Sequence, residues 1–392
     1  MYTSAQIIKN NMRNTPEGLY SVKGSQFEAL QLPVIQEQRG KDYIKFGIDN
    51  LFPQQIIELY NTSAMNHTCI DAIVDGMVGE GIVNYGGEYV NSEGETIDEI
   101  FRKISLDYEL FGGYSINCVW NKEGNRIAEL YHLPFANVRS GKPDDEDHIN
   151  SYYYSSDWSQ IRKHKPVEYK CFDPTDNKKE NASQIYYCKN YEPGQEVYPL
   201  PSYVGGLNDI QLDGRVSKFH NANISNGLAP SMFVQFRNGI PSPEERRDIY
   251  REIEDTFSGE DNAGRFFLAF SEPGKELQVT PIENANDDYY ITLEQRITSR
   301  ILTAHRITSP LLLGIKDGAG FSSNSEEIIT SYSHFMNTVV RPKQKKVLST
   351  YGYLLKLFGL NVTFEIEPVP MLIGTEAEDP ALAENISNIE AE

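Results

Sequence analysis

The stretch from Ser231 to Glu327 constrains this chain more than any other. A helix is marked from Ser242 to Phe257 (SPEERRDIYREIEDTF). Ser242 serves as its cap, Pro243 lies in its first turn, and Glu245 closes a capping box. Ile249, Ile253 and Phe257 form one apolar stripe before Gly259 stops it. After the turn SGEDNAGR, the runs RFFLAF and LQVTPI read as paired strands joined by SEPGKE. A second helix over 288–307 carries Tyr290, Leu293, Ile297, Ile301 and Ala304 on one face, with Arg296, Arg300 and Arg306 elsewhere on it. It runs into SPLLLGIKDGAGFSSNSEE, a loop of glycines and small polar residues, and another helix follows. Two helices thus bracket a small α/β excursion, a mechanical layout with no catalytic constellation beside it.

Charge narrows the function classes without choosing one. The 392 residues suffice for two or three domains, and 39% are hydrophobic, enough for real cores. Against 36 basic residues stand 56 acidic ones, a net charge of −20. A protein that grips nucleic acid by neutralising phosphates is basic, so this balance fits an acidic soluble protein with no nucleic-acid role. It fits equally a passage in which polyanionic DNA must slide and not stick. Cys69, Cys118, Cys171 and Cys188 show no CxxC spacing and read as buried thiols rather than metal or redox sites. The opening MYTSAQIIKNNMRN lacks the apolar core of a signal peptide, and no run approaches the roughly 18 apolar residues of a membrane helix. No membrane partner is expected, and the cysteine usage points to a reducing cytoplasm.

Along the rest of the chain the periodicity changes twice. Helical spacing links Phe52, Ile56, Leu59 and Tyr60, and again Met65, Cys69, Ile70, Ile73, Met77 and Val78; Ser63 can cap the second helix, and Gly79 and Gly81 can end it. Residues 96–111 form a further helix that Gly112 and Gly113 stop. From 114 to 200 short β-like runs (YSINCVW, IAELYHL, SYYYS, EYKCF, QIYYCK) alternate with turn clusters, which predicts a largely antiparallel sheet whose tyrosines suit a wet face. Residues 207–228 return to rough helical register, weakened by Gly214 and ended by Pro230. A long helix over 325–357 should kink or break at Pro342, FGLNVTFEIEPVPM gives a late strand, and the acidic tail after Thr375 should be mobile.

The seven histidines have no metal spacing, and no Walker sequence, GxGxxG or nucleophile elbow occurs. The run Asp144–His148 fits a solvated turn better than a calcium loop, and Glu252, Glu254 and Asp255 fit a salt-bridged helix face better than a glycosidase pair. Neither a catalytic residue, a metal nor a cofactor is therefore called for. One charge feature stands out. Between Thr292 and Lys346, Arg296, Arg300, Arg306, Lys316, Arg341, Lys343, Lys345 and Lys346 outnumber Glu294, Asp317, Glu326 and Glu327. The arginines fit subunit salt bridges as well as a DNA-facing band. Lys316, beside glycines in a loop, is the better candidate for reaching a phosphate.

Three stretches resemble tailed-bacteriophage portal proteins: YIKFGIDNLFPQQIIELYNTSAMNHTCIDAIVDGMVGEGI (43–82), GGLNDIQLDGRVSKFHNANISNGLAPSMFVQFRNG (205–239), and FSGEDNAGRFFLAFS through ITSPLLLGIKDGAGFSSNSEEIITSY (257–332). Each alone is weak; their order is the specific part. The resemblance implies an α+β portal fold: an N-terminal arm (1–42), an α/β wing (43–204), a first stem helix (205–228), a small α/β clip (229–287), a second stem helix (288–308), a tunnel loop and long helix (309–357), and a C-terminal strand with an acidic tail (358–392) in place of an extensive crown. It implies a twelve-subunit ring at one capsid vertex, assembled in the host bacterial cytoplasm and ending in the virion. Double-stranded DNA would be packaged and ejected through it without sequence reading. Its partners would be the major capsid protein, the terminase large subunit and then the head–tail adaptor. Lys316, Arg296, Arg300 and Arg306 would face the channel, and Gly314, Asp317, Gly318, Gly320 and Phe321 would belong to the tunnel loop, with Phe321 anchoring it to the next helix. Two rivals remain. An acidic carbohydrate-active enzyme would be monomeric with a carboxylate pair in a cleft; an adaptor would be shorter and mostly helical.

Overall fold

A computed structural model describes residue 33, residues 40–146, 148–175, 182–225, 232–236, 242, 244, 248, 266–270, 287–315, 325–361 and 363–369. All of them fall within the compact unit that begins at Leu32.

Helices α1 (Phe52–Thr62) and α2 (Ala64–Val78) share Ser63, the last residue of one turn and the cap of the next. Its hydroxyl accepts from Asn66 N and donates to Asp213 Oδ2 at 2.6 Å, tying this corner to a later helix. Helix α3 (Ile97–Phe111) starts with a full capping box from Thr96 and Glu99 and ends at Gly112, whose φ of 78° suits glycine. Its apolar stripe, Ile97, Ile100, Phe101 and Ile104, is fully buried.

Strands β1 (Gly113–Trp120), β2 (Ile127–Leu133), β3 (Val138–Ser140), β4 (Ser151–Tyr154), β5 (Val167–Cys171) and β6 (Ser183–Lys189) form one sheet in the order β2-β1-β6-β5-β4-β3. Every pairing is antiparallel except β5 with β6. Its two edges are covered by loops. Leu130 N donates to Val90 O beside β2, and Ile44 N donates to Ser140 O beside β3. Tyr114 and Tyr152 are buried rather than wet, whereas Tyr153 and Tyr154 are half-buried and Glu168 and Lys170 on β5 are exposed. Cys69, Cys118 and Cys188 are buried, Cys171 is half-buried, and all four are free thiols.

At the β3 edge Arg139 is fully buried, with no carboxylate at ion-pair distance among the described residues. Its guanidinium donates to Asn50 Oδ1 and Asn50 O at 2.7 Å and to the carbonyls of Ala136 and Val138 at 2.8 Å, and Trp158 lies 4.8 Å from it, ring centre to guanidinium. Carbonyl dipoles and the ring face replace a counter-ion, and burial still pushes its pKa down to about 10.

Helix α4 (Leu207–Ser225) passes through Gly214 without interruption. A Cβ there would lie 3.2 Å from Thr62 Oγ1, so glycine serves close helix approach rather than a break. The next pair departs from expectation. Strand β8 (Phe266–Phe270) lies parallel to β7 (Met232–Phe236), in register from Met232 opposite Phe266 to Phe236 opposite Phe270. A parallel pair needs a long crossover, and helical Glu244 and Asp248 lie in the one between them. LQVTPI, the expected partner, and most of the helix at 242–257 lie outside the described residues.

Helix α5 (Asp287–Ala304) is followed by a 3-10 turn (Pro310–Leu313), then α6 (Ser325–Phe335), a π-helical turn (Met336–Val340) and α7 (Arg341–Phe358). Pro342 sits in the first turn of α7. It has no N–H to offer Thr338 O and its ring crowds that carbonyl, which a widened turn relieves. Gly76 of α2 makes room, since a Cβ there would lie 3.1 Å from Val340 Cγ1. The late strand is reduced to one bridge, Ile82 with Ile366, held by Glu80 N to Glu367 O, Val83 N to Glu365 O and Glu367 N to Gly81 O. Among the described residues the segment pairs with this short loop alone, and no ladder extends.

Candidate functional site

Helices α4 and α5 pack against each other. Ile297, Ile301 and Leu302 of α5 are buried, while Arg296 and Arg300 are exposed. One ion pair runs across the two helices, Arg300 Nη1 to Asp209 Oδ1 at 3.2 Å, and His220 Nε2 lies 3.3 Å from Glu294 Oε1. The Arg300 side chain is 72% exposed, so this contact contributes at most about 1 kcal/mol and mainly sets alignment. It does neutralise part of that arginine's charge within the chain itself. At the junction with the sheet, Gly206 meets Ala304 so closely that a Cβ on the glycine would lie 2.5 Å from the alanine Cβ.

Arg306 is not on the helix. Ile307 N donates to Leu302 O and Arg306 N to Thr303 O, the paired bonds of a left-handed helix stop, and Arg306 takes the left-handed position with φ 60°. Glycine is the usual residue there; arginine costs about 1 kcal/mol. Its side chain is exposed. Ile307 and Ser309 then dive into the fold, and the Ser309 hydroxyl accepts from Leu311 N to start the 3-10 turn. Gly314, exposed and at φ 73°, closes that turn, with Ile315 N donating to Pro310 O. Lys316, Asp317, Gly318, Gly320 and Phe321 lie outside the described residues.

Beneath the stop lies a polar cluster that periodicity alone did not reveal. His305 is buried, with Nε2 2.9 Å from Asn66 Oδ1 and its ring 4.5 Å from that of Tyr203. Burial, helped by nearby Lys343, pushes its pKa down to about 3. Lys343 donates to both oxygens of buried Glu109, at 2.8 and 2.6 Å, and to Ser202 Oγ at 3.1 Å. Lys343 thus leaves the basic band counted in the sequence. Lys346 bonds Asn190, whereas Arg296, Arg306 and Lys345 are exposed with no ion pair among the described residues. A carboxylate at position 109, amid the apolar stripe of α3, was the available signal of a buried cation elsewhere. Among the described residues no cluster could hold a metal ion, and no helix is long and apolar enough to cross a membrane.

The family model described as phage portal protein matches residues 91–378. The chain belongs to the phage portal protein family. This portal-family chain is 27% identical over 133 residues to a probable portal protein of Haemophilus phage HP1, covering 33% of this chain and 38% of that one. It is 21% identical over 259 residues to a probable portal protein of Escherichia phage P2, covering 65% and 67%. The chain therefore spans well under two thirds of the first relative's length. Its fold is similar to that of a chain in the neck of a native gene transfer agent particle, determined with C12 symmetry: TM-score 0.52, 18% identity, 86% of this chain and 89% of that one.

Proposed function

We propose that this portal-family chain is the subunit of a twelve-membered ring at one capsid vertex, the conduit by which double-stranded DNA is packaged and ejected. The observation that carries the reading is the family match over 91–378, supported by the likeness to a neck chain of a C12-symmetric particle. Neither the glycosidase nor the adaptor reading draws such support. The major capsid protein would surround the ring, the terminase large subunit would dock outside it during packaging and the head–tail adaptor afterwards. Assembly would take place in the host cytoplasm.

In this reading 43–204 is the wing, 229–287 the clip, and α4 and α5 line the middle of the channel. Residues 314–325, reached from α5 through the Arg306 stop and the 3-10 turn, form the loop that faces the axis. Lys316 meets phosphates there as a point charge without reading sequence, and Arg296 and Arg306 add positive potential. The net charge of −20 keeps DNA from adhering elsewhere. No step needs a catalytic group.

Lys316→Glu tests the loop. It should lower DNA packaged and retained per particle several-fold while rings assemble normally. Normal packaging and retention by that variant would refute the loop's role.

A further inference from the structure

The β3–β4–β5 region carries opposite charges at its two ends. The connection between β4 and β5 presents Arg162, Lys163, His164 and Lys165 in one tight turn. Arg162, Lys163 and Lys165 are exposed, and none pairs with a described carboxylate. The turn is built. Trp158 is buried with Nε1 donating to Asn137 O, Ser155 Oγ donates to His164 O, and Lys163 N and His164 N both donate to Gln160 O. Of the two carboxylates flanking the turn in sequence, Asp157 is occupied by Ser159 N, Ser159 Oγ and Gln160 Nε2, and Glu168, exposed at the start of β5, forms no ion pair with the turn. Exposed Val167 adds an apolar rim. Three cations within four residues, with no ion pair among the described residues, stand against a chain net charge of −20.

At the other end of the same strands lies the β3–β4 hairpin tip. Asp144 is spent on the turn, accepting from Glu146 N, His148 N and Asn150 Nδ2. Asp145 and Glu146 are exposed, and the Glu146 side chain is 82% so. Antiparallel registers, Ser140 opposite Tyr152 and Ser151 opposite Lys170, put this tip and the basic turn at opposite ends of β4. The four residues of β4 alone span roughly 10 Å. That exceeds the ~8 Å screening length at physiological salt, so the two loops of one subunit cannot neutralise each other.

We infer that the Arg162–Lys165 turn docks on the acidic face of a second copy of this chain, with the Asp145–Glu146 tip of that copy as its counterpart. A surface positive at one end and negative at the other is complementary head to tail, the contact that closes into a ring when copies repeat by rotation. DNA is the poorer partner, because the −20 field repels it while three cations attract it. Each exposed ion pair is weak; repeated around a ring, such pairs set orientation and suppress wrong pairings. The inference rests on the ring reading above.

The test is a charge exchange on the full chain, read by native mass spectrometry across protein concentration and salt. Lys163→Glu with Lys165→Glu, and separately Asp145→Lys with Glu146→Lys, change side chains that make none of the turn hydrogen bonds described above, so unchanged melting temperatures verify folding. Each pair should raise the half-assembly concentration by about tenfold. All four together should recover most of the wild-type assembly, and higher salt should weaken the wild type. Reversals that assemble like wild type, or a fourfold variant no better than either pair, would overturn the inference while leaving the ring intact. Loss of duplex-DNA binding with unchanged assembly would overturn it in favour of a nucleic-acid surface. A wild-type chain that never assembles would overturn the ring reading itself.

Discussion

Lys343 Nζ lies 2.6 Å from Glu109 Oε2, inside the junction where α7 crosses α3, with the carboxylate 1% exposed. Two residues 234 positions apart in the sequence are joined there by one charge pair. Removing one partner leaves an uncompensated buried charge, which costs more than the pair contributes. Lys343→Met should therefore destabilise the fold by about 3 kcal/mol. Glu109→Leu combined with Lys343→Met should recover most of that loss. Urea unfolding of the two variants checks it, and equal losses would show that packing rather than charge decides.

His305 gives the fold an acid sensitivity of defined sign. Its Nδ1 is buried with no hydrogen-bond partner, so a second ring proton would have nowhere to go. The folded state keeps it neutral down to about pH 3, whereas an unfolded histidine protonates near 6.5. Above pH 6.5 neither state takes the proton and this residue imposes no penalty. As pH falls below 6.5 the unfolded chain gains a proton that the folded chain refuses, and stability declines by up to about 1.4 kcal/mol per pH unit. His305→Gln should flatten the stability-versus-pH curve between pH 6.5 and 4 relative to wild type, measured by urea midpoints. An unchanged slope would contradict the assignment.

Arg306 carries a conformational cost that glycine would not. Arg306→Gly should stabilise the chain by about 1 kcal/mol in equilibrium unfolding. If the arginine supplies positive potential at the channel, the same variant should hold packaged DNA less well. A gain in stability with unaltered DNA retention would leave Arg306 a mere helix stop.

Local signals in the sequence were legible wherever one residue's chemistry decides the backbone. Ser63 and Gly112 cap helices as their side chains require, and Pro342 marks the place where the long helix is interrupted. Signals that depend on a distant partner were not. RFFLAF reads as a strand, but alternation carries no address, and its described partner is Met232–Phe236. FGLNVTFEIEPVPM has strand composition, yet among the described residues its backbone pairs with Ile82 and its neighbours alone. The helix read over 288–307 ends three residues earlier, at Ala304; arginine is a good helix former, and no glycine marks the stop at Arg306. Counting cations could not separate buried Lys343 from exposed Arg296, since pairing is a tertiary property.

Native mass spectrometry of the purified full chain, followed by imaging of the assembled species down its axis, tests the central claim most directly. The account predicts an assembly of twelve 44.5 kDa subunits with an open axial channel and the loop that follows α5 directed into it. A monomer at micromolar concentration across low and high salt, or a ring in which α4 and α5 lie on the outer rim, would contradict it.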